Sequence, residues 1–302
     1  MKVTIVIPMF NAEGTISRAI QSCLAQTHRP IEVIVVDDHS TDRSHSLAVS
    51  HRENKPKSIE LTVVSNPRKG APSARNHGLE LSKGKFIQFL DADDEIDALK
   101  IEKQVEQLRK TNADVSISKF ITKDTDSEIP PPYGVLPEGH RLSVDWLLRH
   151  VVRTHAPLHR KTALELINGW DESLSAAQDW DLHLRMALAN VKFVTIQQPL
   201  AITHIQPDSI SSNLDRVYAG AFSSLKNNWS DLKSRLMPGG MGFKQILFIA
   251  LHASRTGQVD STAISNLLRD IPISEKWDSP MWWKFIWSRA QLKITGALSS
   301  AE

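Results

Sequence analysis

The first 120 residues switch repeatedly between two hydrophobic periods, and this constrains the fold more than any other feature. "VTIVI" (Val3 to Ile7) is an unbroken, β-branched apolar run, the pattern of a strand covered on both faces. Behind it, Ile16, Ala19, Ile20, Cys23 and Leu24 recur at helical spacing and the pattern stops before Pro30. Ile31 to Val36 and Ile59 to Val64 read as two further buried strands, Lys85 to Leu90 as a fourth and "ADVSIS" as a fifth, with helical segments between them and a helix from Asp97 to Lys110. Strands alternating with helices form right-handed βαβ units and a parallel sheet. Ligands of such sheets bind outside the carboxyl ends of the strands. Four polar clusters, "PMFN", "DDHSTD", "NPRKG" and "DADD", each follow a strand or its turn and so fall on one rim.

Composition narrows the class of protein. With 302 residues there is room for about two domains, or one large α/β domain with an appendage. A net charge of +2, from 36 Lys and Arg against 34 Asp and Glu, argues against a nucleic-acid binder. The single cysteine, Cys23, excludes an intramolecular disulfide and sits in a helical apolar pattern as a core residue. The apolar run at the N-terminus is too short for a secretory leader, and no stretch of about 18 apolar residues predicts a spanning helix. The expected location is cytoplasmic, or peripheral to the inner face of the cell membrane.

Asp91-Ala92-Asp93 places two carboxylates at i and i+2 behind a buried strand. Hard carboxylate oxygens suit Mg2+ or Mn2+, which share their shell with substrate phosphates and water. The plainer reading of the neighbouring acids is a helix start, and Asp94, Glu95 and Asp97 are assigned to it. Asp37 and Asp38 close another strand; a carboxylate there can accept from a base or a ribose, while Thr41 or Asp42 caps the next helix and Asp37 serves the turn. None of these clusters alone names a ligand.

Taken in order, "IVIPMFN", "IEVIVVDDHSTDRS", "NPRKGAPSARNHGLELSKGKFIQFLDADD" and "GWDESLSAAQDWDLHLRMA" resemble the family-2 glycosyltransferases of the GT-A fold over roughly residues 1 to 210. The resemblance implies a mostly parallel α/β sheet flanked by helices, and a sugar moved with inversion from a nucleotide diphosphate donor to a hydroxyl of a glycan or lipid-linked acceptor. It implies Pro8 and Phe10 beside the base, Asp38 in contact with it, Arg75 and Asn76 in the donor pocket, Asp91 at the ribose or sugar, and Asp93 on an Mn2+ or Mg2+ ion at the diphosphate. Asp179 matches the family's catalytic base, with Asp181 as competitor and as helix cap. The family often has Glu where this chain has Gln178. His204 matches a position at which a family histidine completes the metal shell. UDP is the family's usual nucleotide, with GDP and dTDP open, and cell-surface polysaccharide or lipopolysaccharide synthesis is its usual work.

Other residues divide between roles. Trp170 stacks on an acceptor sugar or packs in the core, and Asp171 and Glu172 lie on the acceptor side or in a turn. His155 faces the acceptor cleft and His77 an exposed helix face. The expected division is a GT-A domain over 1–212, its nucleotide half 1–120 and its acceptor half 121–212, followed by a helical C-terminal region over 213–302. Residues 123–142 read as a long loop, a helix follows near Ser143 to Val152, and two short strands cover Lys192 to Ile196 and Leu200 to His204. "SPMWWKFIWSRAQLKI" sets Trp282, Trp283 and Trp287 among Lys284, Arg289 and Lys293, a helix suited to an anionic membrane surface or to packing against protein. The competing function is a nucleotide-sugar-binding protein without catalysis, for which a base away from the nucleotide has little use. A dinucleotide oxidoreductase is excluded because no Gly-rich fingerprint follows Ile7.

Overall fold

The structure, a computed structural model, describes residues 1–53, 55–124, 127–129, 142–205, 213–236, 241–256 and 259–269. The Trp-rich segment over 282–293 and most of the loop over 123–142 lie outside the described residues.

Among these residues, nine strands form one sheet. Strands β1 (Val3–Met9), β2 (Ile31–Asp37), β3 (Ile59–Ser65) and β4 (Phe86–Phe89) run parallel in the order β3-β2-β1-β4. β8 (Pro157–Arg160) enters antiparallel between β4 and β6 (Val115–Asp124). Beyond β6 lie β9 (Phe193–His204), parallel to it, and β5 (Glu95–Ile96), antiparallel to β9; β7 (Ser127–Ile129) pairs with β6 off the main path. β1 and β2 are buried at every position because helices cover both faces, which is why their sequences are continuously apolar.

Helices α1 (Ile16–Leu24), α2 (Ser44–Ser50) and α4 (Lys100–Thr111) lie with one face of the sheet, and Cys23 is fully buried in that core. The opposite face carries α3 (Ala71–Leu81), α6 (Lys161–Leu166) and α7 (Gln178–Leu188). α3 comes close to β1 because residue 78 is glycine: a Cβ there would stand 2.3 Å from Val6 Cγ1. A third apolar cluster joins α5 (Val144–Arg149) and α7 to α8 (Leu214–Asn227), α9 (Trp229–Lys233), α10 (Met241–Arg255) and α11 (Ser261–Arg269). The C-terminal helices therefore share a core with the helix that carries Asp179.

Several boundaries differ from the sequence expectation: β6 runs on to Asp124, and β7 covers Ser127–Ile129 within residues read as a loop. Residues 193–204 form one strand rather than two, with the register against β6 shifting between Ser118 and Phe120. Pro199 lies at that irregularity; it has no N–H to donate and reads locally as a break, while pairing on both sides continues. α4 begins at Lys100, not Asp97. Asp97 precedes it, accepting from Leu99 N at 2.9 Å through Oδ1, while Glu95 and Ile96 are drawn into β5.

Candidate active site

The parallel strands deliver their carboxyl ends to one cleft of about 1220 Å3. It is lined by Pro8 at the end of β1 and Phe10 just after it, Asp38 after β2, Arg75 on α3, Asp91 and Asp93 after β4, and Asp179 on α7. Phe10 is 60% exposed, a flat aromatic face at the cleft. The Asp38 carboxylate receives Gly70 N at 2.9 Å and Asn66 Nδ2 at 2.7 Å, which ties the start of α3 to β2. Gly70 has a φ of +105°, a conformation that glycine adopts without Cβ strain.

Arg75 is buried on the floor of the cleft. Its Nη2 donates to Asp91 Oδ1 at 2.7 Å, its Nη1 donates to Gln178 Oε1 at 2.9 Å, and its guanidinium lies 4.5 Å from the Trp170 ring centre. Burial raises the Asp91 pKa, but the charge and hydrogen bond of Arg75 outweigh it and hold that carboxyl below its usual range. Asp93 is opposite: burial, then the charges of Asp94 and Asp91, push it up to about 7. Its backbone carbonyl is gripped by Arg18 Nη2 at 2.6 Å. Asp179 is raised by burial, partly offset by the positive charge of Arg153 and a hydrogen bond from Trp180 N at 2.8 Å. A carboxylate raised in this way is a better proton acceptor at neutral pH.

A destabilised carboxylate such as Asp93 fits a divalent cation, which would relieve the repulsion among Asp91, Asp93 and Asp94. Among the described residues no cluster of three His, Cys, Asp or Glu side chains stands ready for a metal. Asp91 and Asp93 offer only hard carboxylate oxygens, so an ion held there would take the rest of its shell from substrate phosphates and water.

Several expected positions lie elsewhere. His204 does not line the cleft: its Nε2 meets Glu95 Oε1 at 2.6 Å, and its N–H donates to Asp94 Oδ1 at 3.1 Å. Asp94 is buried and pairs with His155 Nδ1 at 2.8 Å, so Asp94 and Glu95 brace β9 rather than the start of α4. His155 is likewise buried and does not reach the cleft. Trp170 belongs to the core, edge-on to Phe89 and beneath Arg75, because Asn76 holds its N–H and C=O at 2.9 Å each and turns the ring inward. Asp181 is no helix cap: it is 1% exposed, pairs with Arg185 and accepts from Ser224 Oγ at 2.6 Å. Asp171 closes a turn through Ser173 N, Glu172 pairs with Arg68, and His77 is half-buried beside Glu80.

The sequence reading missed Arg153, which lines the cleft between α5 and β8. Nothing in "VVRTHAP" marks it, since its neighbours Asp91 and Asp179 are remote in sequence.

A carboxylate-lined cleft at the carboxyl ends of parallel strands is the layout of a ligand-binding α/β enzyme. The model of the family "Glycosyl transferase family 2" matches residues 4–164, and the chain belongs to that family of glycosyltransferases. A UDP-Glc:alpha-D-GlcNAc-diphosphoundecaprenol beta-1,3-glucosyltransferase of Escherichia coli, WfgD, is 39% identical over 110 residues, 36% of this chain and 42% of that protein. The fold is GT-A. Staphylococcus aureus TarS solved with UDP superposes with a TM-score of 0.72 at 18% identity, over 96% of this chain and 87% of that one. The Pyrobaculum calidifontis mannosyltransferase PcManGT, solved with GDP-Man and Mn2+, gives 0.61 at 17% identity, over 99% of this chain and 80% of that one. The matches span 26% to 62% of the length of the curated relatives.

Proposed function

We propose that the chain transfers a sugar, with inversion, from a UDP-linked donor to a hydroxyl of a glycan or lipid-linked acceptor in cell-surface polysaccharide or lipopolysaccharide synthesis. The observation that carries this reading is one cleft lined by Pro8, Phe10, Asp38, Arg75, Asp91, Asp93 and Asp179, residues of five separate segments. The donors and acceptors of similar proteins support it, UDP with TarS and a diphosphoundecaprenol-linked sugar with WfgD.

In this reading Phe10 and Pro8 flank the base and Asp38 receives its N–H, without letting go of the loop before α3. Arg75 fixes Asp91 as an acceptor for ribose or sugar hydroxyls. Asp93 holds an Mn2+ or Mg2+ ion, and His204 is left to Glu95. When bound, that ion stabilises negative charge developing on the departing nucleoside diphosphate. Asp179, raised by burial, takes the proton of the attacking acceptor hydroxyl on the opposite face of the sugar. General base catalysis of this kind contributes about 10²–10⁴-fold. The proposed division is a GT-A domain over 1–212, with a donor half over 1–120 and an acceptor half over 121–212, followed by a helical region from 213; residues of all three parts line the cleft, which supports it. Among the described residues no helix is long and apolar enough to cross a membrane. We place the protein at the cytoplasmic face, where nucleotide sugars are made.

The test is a thermal-shift panel with UDP, GDP and dTDP, each with and without Mn2+. UDP with metal should stabilise the wild type, by roughly 2.7 kcal/mol at 100 times its dissociation constant, and Asp93→Asn should lose the metal-dependent part. Asp179→Asn should keep UDP binding and lose turnover. No shift with any nucleotide would defeat the reading and favour a protein without donor binding. Intact UDP binding with wild-type turnover in Asp179→Asn would remove only the base.

A further inference from the structure

The turn that carries the acids behind β4 is held from outside the cleft. Asp94 N donates to Asp91 O at 3.1 Å and closes the turn. Arg75 pairs with the Asp91 carboxylate, His155 with Asp94, and His204 with Glu95. Among the described residues Asp93 alone of these four acids has no ion-pair partner, and its side chain is left to the cleft it lines. Its backbone is tied down instead. Arg18, on α1, donates from Nη2 to Asp93 O at 2.6 Å. The Arg18 Nε stands 3.5 Å from Glu95 Oε1, the oxygen that also meets His204 Nε2 at 2.6 Å. One guanidinium thus joins α1 to the turn and, through Glu95, to β9.

Asp91, Asp93 and Asp94 repel one another, and a turn free to relax would carry Asp93 outward, where water screens its charge. Carboxylates arranged for a cation before it arrives must be held against that relaxation. A charge-assisted bond to a carbonyl is stronger than a neutral one, and it fixes the plane of the peptide that follows Asp93. The anchor is firm, because Ile16, Ala19 and Ile20, on either side of Arg18, are fully buried in the core against the sheet. Arg18 does not line the cleft, so any effect it has on a bound ion passes through the turn.

We propose that Arg18 is a positioning residue for the donor's cation: by holding Asp93 O and Glu95 it presents the Asp93 carboxylate to the ion. This rests on the function proposed above and adds to it the residue that prepares the turn for the metal. Groups that hold a metal ligand in place govern affinity through that ligand, and losing one costs about 10–100-fold. The plainer role for Arg18 is to fasten α1 to the turn. The two roles differ in outcome: a fastening alone would affect stability and leave the metal affinity of the folded protein unchanged.

The test is titration of Mn2+ into the full chain saturated with UDP, with free Mn2+ read by electron paramagnetic resonance. Arg18→Gln should weaken Mn2+ binding by about tenfold or more, while its affinity for UDP without metal stays that of the wild type. Arg18→Lys keeps the charge and one donor but cannot reach Asp93 O and Glu95 together, so it should weaken binding by less. The Arg18 side chain is 36% exposed, so the glutamine variant should fold, and its melting temperature without ligands checks this. Wild-type Mn2+ affinity in a folded Arg18→Gln would overturn the proposal, as would an equal loss of metal-free UDP binding. If Arg18→Gln does not fold, Arg18→Lys decides, and Mn2+ bound as tightly as by the wild type overturns the proposal. A wild type whose UDP binding does not depend on Mn2+ strikes the metal reading itself and this inference with it, and that is seen before any variant is compared.

Discussion

Arg75 reaches across the floor of the cleft to Gln178, its Nη1 donating to Oε1 at 2.9 Å while Nη2 holds Asp91 at 2.7 Å. One planar guanidinium thereby joins the carboxylate after β4 to the first residue of α7, immediately before Asp179. A neutral partner at 178 leaves Asp91 as the carboxylate bonded to this buried cation. Where a Glu stands at that position two carboxylates would share it. Removing the cation strands Asp91, whose side chain is 31% exposed, without its partner, and leaving a part-buried group unsatisfied in that way costs about 1–3 kcal/mol. Arg75→Gln is expected to lose stability of that order in urea unfolding, and the Asp91 carboxyl should titrate at higher pH. Arg75→Lys keeps the charge but not the fork, so it should retain part of the stability and lose the coupling to Gln178. A double-mutant cycle with Gln178→Ala reads that coupling directly.

A pair of buried histidines below Asp179 sets a pH limit on the fold. His183 Nδ1 donates to Asp179 O at 2.6 Å, which leaves Nε2 to accept from His159 Nε2–H at 3.3 Å. Only a neutral His183 satisfies this arrangement, since protonating its Nε2 would set two N–H groups face to face. Burial lowers the pKa of both, to about 4 for His183. Because the folded values lie below the ordinary histidine value, the unfolded chain binds protons more readily between about 6.5 and 4. The stability held by the neutral pair is therefore full above that window and is lost as pH falls through it. His183→Gln should flatten the slope of unfolding free energy against pH between those limits, measured by chemical denaturation. A slope equal to that of the wild type would remove the pair as its source.

Gly220 lets α8 sit against the segment that leads into α7. A Cβ at this position would stand 2.4 Å from Ala176 O, a backbone atom with no rotamer to yield. Gly220→Ala must therefore push α8 away from Ala176, two residues before Gln178. Overpacking of this kind costs about 1–3 kcal/mol. The expected result is a lower melting temperature together with reduced turnover at saturating donor. Unchanged stability would show that α8 can yield there without cost.

Cys23 should be inert until the protein unfolds. It is fully buried on α1, and burial raises its thiol to about 12, partly offset by a hydrogen bond with Ser22. Iodoacetamide at pH 8 should leave the native chain unmodified and alkylate it once in urea. Rapid native labelling would mean that α1 opens from the sheet.

The sequence by itself determined the parallel half of the sheet, because strands buried on both faces must be apolar at every position and helices on a sheet must repeat at 3.6 residues. It also placed the acidic clusters at strand ends, since a βαβ chain brings those ends to one rim. Where one residue has two adjacent uses, local pattern could not choose between them. Trp170 turned inward because Asn76, far away in sequence, holds its backbone. Asp181 became a partner of Arg185 and Ser224, and His204 of Glu95, through contacts that no spacing encodes. Arg153 entered the cleft from the segment after α5, a helix that shares one apolar cluster with α7, α8 and α10. Burial, charge compensation and close approach depend on which distant segments meet, and the tertiary structure alone decides that.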